Sequence, residues 1–438
     1  MNLCRPLSIA LALGWACAMP AQAQSLAELY DSARDFDAAL QSARSQYESV
    51  VARAEQSRAG TLPTVNLASG IARSSANATI RIPQSYGSQT VTLSASQPLY
   101  RPANWITYEQ GKKSVVSAQA QLVSAEQDLV IRLSTGYFDV LAAQDALAFV
   151  VAQKTAVSEQ LASAKRNFEV GTSTITDTRE AQARFDLVVA QQIAAENDLR
   201  VKRLALDQLV GKSGADPTPL APPVELPALQ PADVNAWVSQ AIAEHPVLRQ
   251  SELALEVAQL ETRKAEAGNR PTVDLTGSYQ VARNDGTASS FLSSHINTTT
   301  LGVALNWPLF AGFAIQNRIK ETLALEDKAR TDLEAARRTV SQSTRAAYFG
   351  VLSGQGQVTA LEAAEASSQS ALDANKLGYQ VGVRINIDVL NAQSQLFQTK
   401  RDLARARYDV LLGGLRLRQA NGTLKPEDLQ PINALLVK

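Results

Sequence analysis

Four stretches of the chain alternate apolar and polar residues with a period of two, and they come in two pairs. Val65, Leu67 and Ile71 fall opposite Asn66, Ala68 and Gly70, and Val91, Leu93, Ala95 and Leu99 fall opposite Thr90, Thr92, Ser94 and Ser96. In the second pair, Val273, Leu275, Tyr279 and Val281 oppose Thr272, Asp274, Thr276, Ser278 and Gln280. Leu301, Val303, Leu305, Trp307 and Leu309 likewise oppose Thr300, Gly302 and Asn306. This period predicts strands over about 63–74, 89–99, 271–283 and 298–309. Strands of about ten residues with one apolar and one polar face suit a membrane barrel, apolar to lipid and polar to a wet lumen. The edge of a soluble sandwich alternates in the same way. Open sheet edges cannot lie in lipid, and barrels begin at about eight strands. Four strands per chain therefore enter a bilayer only if several chains close one barrel.

Between and after these pairs the period changes to seven. Val116, Val123, Val130 and Tyr137 recur at that spacing beside Val115, Leu122 and Leu129, as do Leu396, Leu403, Val410 and Leu417. Such a repeat brings helices together as coiled coils. No proline occurs between Ala103 and Asp216 or between Leu309 and Lys425, which permits two very long helical regions. A helix from Ala103 to Val170 would run about 100 Å at 1.5 Å per residue, the length of a tunnel wall rather than a domain core.

The two halves repeat each other. LPTVNL from Leu62 returns as RPTVDL from Arg270, and Gln97-Pro98-Leu99-Tyr100 returns as Trp307-Pro308-Leu309-Phe310. Tyr137-Phe138 returns as Tyr348-Phe349, Val170-Gly171 as Val381-Gly382, and Gly211 as Gly422. By the same offset Phe185, Gln192, Leu199 and Leu206 are the mates of the heptad leucines and valine near the C-terminus. A duplication explains this, with the drift in offset absorbed between the strands of each half. The organisation read from it is a repeat over 24–212, a proline-rich linker over 213–232, a second repeat over 233–422, and a tail over 423–438. Each repeat reads helix, two strands, very long helix, helix. The linker's core, DPTPLAPPVELPALQP, reads as an extended connector crossing the outside of the molecule.

Composition narrows the function classes. Lys plus Arg and Asp plus Glu balance at 42 each and aromatics are 5%, which does not resemble a nucleic-acid binder. The basic Arg5, the apolar run from Leu7 to Met19 and Ala21-Gln22-Ala23 form a secretory leader over 1–23. No later stretch reaches about 18 uninterrupted apolar residues, so no transmembrane helix is expected. Both cysteines, Cys4 and Cys17, lie in the leader, and Gly14-Trp15-Ala16-Cys17 is a poor lipidation signal. The mature chain then has no thiol for a disulfide, metal or nucleophilic role. Gly211-Lys212-Ser213 resembles the end of a phosphate loop, but the required glycine five positions earlier is Leu206, so Gly211 reads as a helix cap. His245 and His295 stand far apart with no Cys or His nearby, which gives neither metal site nor triad. His245-Pro246 is expected at the start of a helix, and His295 in an external loop between strands, Asn284 to Asn297. No catalytic residue, metal or cofactor is expected. An envelope-spanning structural coiled coil would account for the heptads but not for paired amphipathic strands inserted twice between helices.

The segment YQVGVRINIDVLNAQ from Tyr379 to Gln393, with Leu396-Phe397 and Ala404-Arg405-Ala406-Arg407-Tyr408, closely resembles the second helical turn of the TolC family. FEVGTSTITDTREAQ from Phe168 to Gln182 resembles the first turn. With the duplicated strands and Pro98 and Pro308, the resemblance covers nearly all of the mature chain. It implies a mainly helical protein with membrane β: a homotrimer in which each chain gives four strands to a twelve-stranded β-barrel in the outer membrane lipid, continuous with a long periplasmic α-helical barrel. It implies export without catalysis, with a periplasmic adaptor and an inner-membrane ABC transporter or proton-driven pump as partners. The favoured cargo is a type I secreted protein, with multidrug efflux as the alternative. By the same resemblance Tyr379, Arg384 and Asp388 match gate and entrance residues, and Asn391 stands where a second aspartate is often found. Ala162 stands where an aspartate would pair with the arginine. Val170, Gly171 and Thr172 with Val381, Gly382 and Val383 would form the tip where the adaptor docks.

Overall fold

The computed structural model describes residues 24–78, 81–287, 290 and 292–437; the leader over 1–23 lies outside them. The order of elements is α1 (Leu26–Phe36), α2 (Ala38–Arg58), β1 (Thr64–Ala78), β2 (Arg81–Tyr100), α3 (Pro102–Glu169) and α4 (Ile175–Val210). After the linker come α5 (Val234–Glu244), α6 (Pro246–Ala267), β3 (Thr272–Asn284), β4 (Ser294–Asn306), α7 (Ala314–Gln380), α8 (Asn386–Ala420) and a short α9 (Gln430–Asn433). The duplication is thus visible element by element.

The chain divides into two compact units. One comprises Arg44–Leu122 and Val247–Arg337 and holds the sheet. Its strands run antiparallel in the order β1-β2-β3-β4. The register stacks the apolar positions in rows: Leu67 pairs with Leu93 and Leu93 with Tyr279, while Val65 pairs with Ala95, Ala95 with Gly277 and Gly277 with Leu301. This face is open in the single chain, with Leu67 72% and Leu301 78% exposed. Among the described residues β1 and β4 each have one neighbour, so in the single chain two edges are unpaired. On the other face, at the end of β2, Arg101 donates from Nε to Asp274 Oδ1 at 2.7 Å and from its terminal nitrogen to the second oxygen, tying the chain after β2 to β3.

Several boundaries differ from the sequence reading. The loop expected between the first two strands is itself strand, because β1 and β2 stay paired from Thr64↔Ser96 as far as Ala78↔Arg81. The apolar row of Val65, Leu67 and Ile71 continues as Arg73 and Ser75, so the one-sided pattern that marks the strand stops before the strand does. β2 tolerates Pro83 because its pairing to β3 begins only at Ser88, so that stretch has a neighbour on one side alone. His295 lies not in a loop but in β4, opposite Arg283. β4 ends at Asn306, ahead of Trp307-Pro308, since proline cannot continue a ladder. The helix expected before each strand pair is two helices. Asp37 (ψ 115°) and His245 (ψ 125°) break them in extended conformation, the first capping α2 through the Leu40 N–H at 2.8 Å and the second preceding Pro246.

The other unit comprises the segment ending at Ala43, Val123–Pro246 and the segment from Arg338 on. Leu396, Leu403, Val410 and Leu417 are all buried, as are Val130, Tyr137 and Leu206, each such side chain contributing about 1.5–3 kcal/mol. Among the described residues α3 is the one helix that is long and apolar enough, by length and composition, to cross a membrane. Its apolar residues Leu129, Leu133, Val140 and Leu141 are buried in this unit instead. Gly211 caps α4 with φ 74° and lies against the Phe36 ring, as a helix terminator and not a phosphate loop.

Repeat-mate tyrosines hold the two ends of the linker. The Tyr137 hydroxyl donates to the Thr218 carbonyl at 2.8 Å, and that of Tyr348 to the Ala232 carbonyl. Burial pushes the Tyr137 phenol up, out of reach of physiological titration. The linker does not run wholly outside: Pro217 and Thr218 are buried, and Gln24 N–H bonds the Asp216 carbonyl at 2.8 Å. The tail packs as well. Leu424, Leu429, Ile432 and Leu436 are buried, and Ala221 N–H donates to the Leu435 carbonyl at 2.8 Å.

Candidate functional site

The residues singled out by sequence gather where α3 turns into α4 and α7 into α8, both within one unit. Each turn is built alike. Gly171 and Gly382 take φ 79° and 78°, the left-handed conformation glycine adopts without a Cβ penalty. Thr172 N–H reaches back to the Asn167 carbonyl and Val383 N–H to the Gly378 carbonyl, both at 2.8 Å. Gly171 and Gly382 N–H groups bond Phe168 and Tyr379 carbonyls at 3.0 and 3.1 Å. These are paired Schellman closures, which satisfy the last carbonyls of α3 and α7.

The outgoing helices start differently. At α4 the Thr174 hydroxyl accepts from the Asp177 N–H, and the Asp177 carboxylate accepts from the Thr174 N–H at 3.0 Å and the Ser173 hydroxyl at 2.7 Å. That capping box contributes about 1 kcal/mol. Burial works to raise the Asp177 carboxyl, but the hydrogen bonds from Ser173 and Thr174 outweigh it and hold the group below the usual carboxylate range. At α8 the cap is Ile385, which has no side-chain bond to offer and is 61% exposed. Asp388, at the position of Asp177, is instead 3.7 Å from Arg384. An ion pair this exposed adds little stability.

Tyr379 sits at the end of α7, packed on Leu372, Val389 and Leu396, and its hydroxyl accepts from the Asn167 amide at 3.1 Å. The Asn391 carbonyl oxygen accepts from Arg184 of α4 at 2.8 Å. Ala162 is exposed on α3, and Arg384 finds its carboxylate within its own turn. A Cβ on Gly378 would come within 2.7 Å of Arg384 Cγ, so this glycine makes room for the arginine stem. Val170, Val381 and Val383, on the two turns, are exposed at 72%, 65% and 79%. Sequence reasoning missed Asn167, Arg184, Gln160 and Asn386 as cross-links. The signal available was broken repeat symmetry, since the mate of Asn167 is Gly378 and that of Asn386 is Ile175.

The family model described as outer membrane efflux protein matches residues 29–212 and 237–423, one span on each half. The chain is 33% identical over 430 residues to outer membrane protein TolC of Vibrio cholerae, covering 98% of this chain and 97% of that one. It is 31% identical over 354 residues to the alkaline protease secretion protein AprF of Pseudomonas aeruginosa, covering 80% and 73%. The solved outer membrane protein VceC of Vibrio cholerae matches with a TM-score of 0.76 at 19% identity, over 91% of this chain and 96% of that one, a likeness of fold.

Proposed function

This chain belongs to the outer membrane efflux protein family, as an outer-membrane protein with a large periplasmic helical part, and from that premise we propose that it is the passive exit duct of a tripartite export machine. The observation that carries the reading is a four-stranded sheet with an open apolar face and two unpaired edges, whose strand β2 is followed directly in the chain by a 68-residue helix. Three copies pairing edge to edge close twelve strands, remove every edge from lipid and turn the apolar rows outward. The chain performs no chemistry of its own. An inner-membrane transporter supplies the energy, and an adaptor docks on the exposed Val170, Val381 and Val383 beside the glycine turns. Tyr379, Arg384, Asp388 and Asn391 form the periplasmic gate and entrance, and threefold repetition of Asp388 favours cations there.

The favoured cargo is a type I secreted protein, supported by the similarity to TolC and to a protease secretion protein. Multidrug efflux with a proton-driven pump is the second reading, supported by the family description. Deleting the gene and comparing the supernatant proteome and drug tolerance with the parent tests both. Loss of one or a few large proteins from the medium with unchanged tolerance is the expected result. Drug-sensitive cells with an unchanged medium would make efflux the function.

A further inference from the structure

The second tip turn buries a polar side chain at a position where the first exposes an apolar one. Asn386, the first residue of α8, is fully buried, whereas its repeat-mate Ile175 is 47% exposed. Both ends of the Asn386 amide are used. Its carbonyl oxygen accepts from the Gln160 side chain of α3 at 2.5 Å, and its nitrogen donates to the Asp177 main-chain carbonyl of α4 at 3.3 Å. The next turn of α8 continues the contact through apolar packing: Leu390 is buried with Val157, Leu161, Ala164 and Ala181 of α3 and α4, with Ile387 against them.

An asparagine at the start of a helix ordinarily caps it. Here the order Ile385-Asn386 puts the amide one residue too late, so the cap is left to isoleucine and the amide turns inward to the other hairpin. A fully buried amide is tolerated only while its bonds are complete. If α8 slides or tilts against α3 and α4, both bonds break together and the amide stays buried, so one position of the second turn is favoured over its neighbours.

We propose that Asn386 is the positioning residue that pins the second tip turn to the first hairpin and so holds the periplasmic gate shut. The pin is a neutral amide link, separate from the Arg384–Asp388 pair. This inference rests on the duct reading above.

The test is single-channel conductance of the full-length protein in planar bilayers, with the detergent-resistant oligomer on gels as the check of folding. Asn386→Leu keeps nearly the same size but can form neither hydrogen bond, and it is expected to raise conductance several-fold with the oligomer intact. Asn386→Ala is expected to do the same. Gln160→Ala is expected to raise conductance less, and to add nothing on top of Asn386→Ala, because both remove one link. Conductance of Asn386→Leu equal to that of the unsubstituted protein would overturn the pin, as would full additivity of the two alanine variants. If Asn386→Ala fails to assemble, the leucine variant decides. If the unsubstituted protein forms no channel at all, the duct reading itself fails, a result distinct from any produced by the variants.

Discussion

The first tip turn, 170–174, and the second, 381–385, share their backbone hydrogen bonds and their glycine but not their fastening. The first is self-contained: Ser173, Thr174 and Asp177 satisfy one another. The second leaves its helix uncapped, leans Arg384 on Asp388, and draws its remaining polar bonds from the other hairpin through Tyr379, Asn386 and Asn391. A duplicated element has therefore kept its geometry while its two copies divided the work. One fastens itself, and the other is fastened by the neighbouring hairpin, as the proposed gate requires of a part that must be released.

The largest expected effect lies in the second turn. Arg384→Ser is expected to raise single-channel conductance several-fold, whereas Ser173→Ala, at the matching place in the first turn, leaves it near the unsubstituted value. Equal conductance for Arg384→Ser and the unsubstituted protein removes the arginine from the gate. The shared backbone predicts equal costs on the two sides for a backbone lesion. Gly171→Val and Gly382→Val each force a β-branched residue into the left-handed region, with nothing within 4 Å for the new side chain to strike. Each is expected to destabilise its own turn by about 1–2 kcal/mol, read by amide hydrogen exchange. Unequal losses would mean that the turns are not equivalent.

Thr174→Ala removes the first cap and is expected to loosen the start of α4 by about 1 kcal/mol in the same exchange measurement, while Ile385→Ala costs α8 no cap. Conversely Ile385→Thr supplies a hydroxyl opposite Asp388 and should protect α8. The smallest effect is that of acid. Because the folded-state pKa of Asp177 is depressed, its contribution is complete above the ordinary carboxylate range and is lost as pH falls through the lowered value. Protection at the start of α4, taken relative to the intrinsic exchange rate at each pH, should therefore fall below about pH 4, and Asp177→Asn should abolish that acid dependence.

Much of this was legible in the chain. The long helices follow from proline-free heptads, and their ends from Gly171 and Gly382. The strands follow from alternation wherever one face is apolar. What escaped was whatever alternation does not report. Beyond Ile71 the apolar row of β1 gives way to Arg73 and Ser75, so the ladder, and not the pattern of that face, reveals the far ends of β1 and β2. The breaks at Asp37 and His245 depend on one residue's backbone conformation. At the candidate site, Tyr379, Arg384 and Asp388 stood out through a recognisable segment, but their partners did not. The Asn167–Tyr379 and Gln160–Asn386 contacts join residues more than two hundred positions apart, and an amide carries no signature of whether it faces water or another helix.

The unpaired edges of β1 and β4 bear on how the protein reaches its membrane. A lone subunit presents two rows of unsatisfied backbone groups that hydrocarbon cannot accommodate and that any exposed strand can template. In the proposed trimer, insertion would therefore be coupled to encounter between subunits and should depend steeply on how fast the chain is made. At low synthesis subunits should then wait in the periplasm, and at high synthesis wrong edge pairings should compete with closure. A copy lacking one edge strand would join a partner and then block the ring, so a small fraction of such copies should silence a larger fraction of assembled channels.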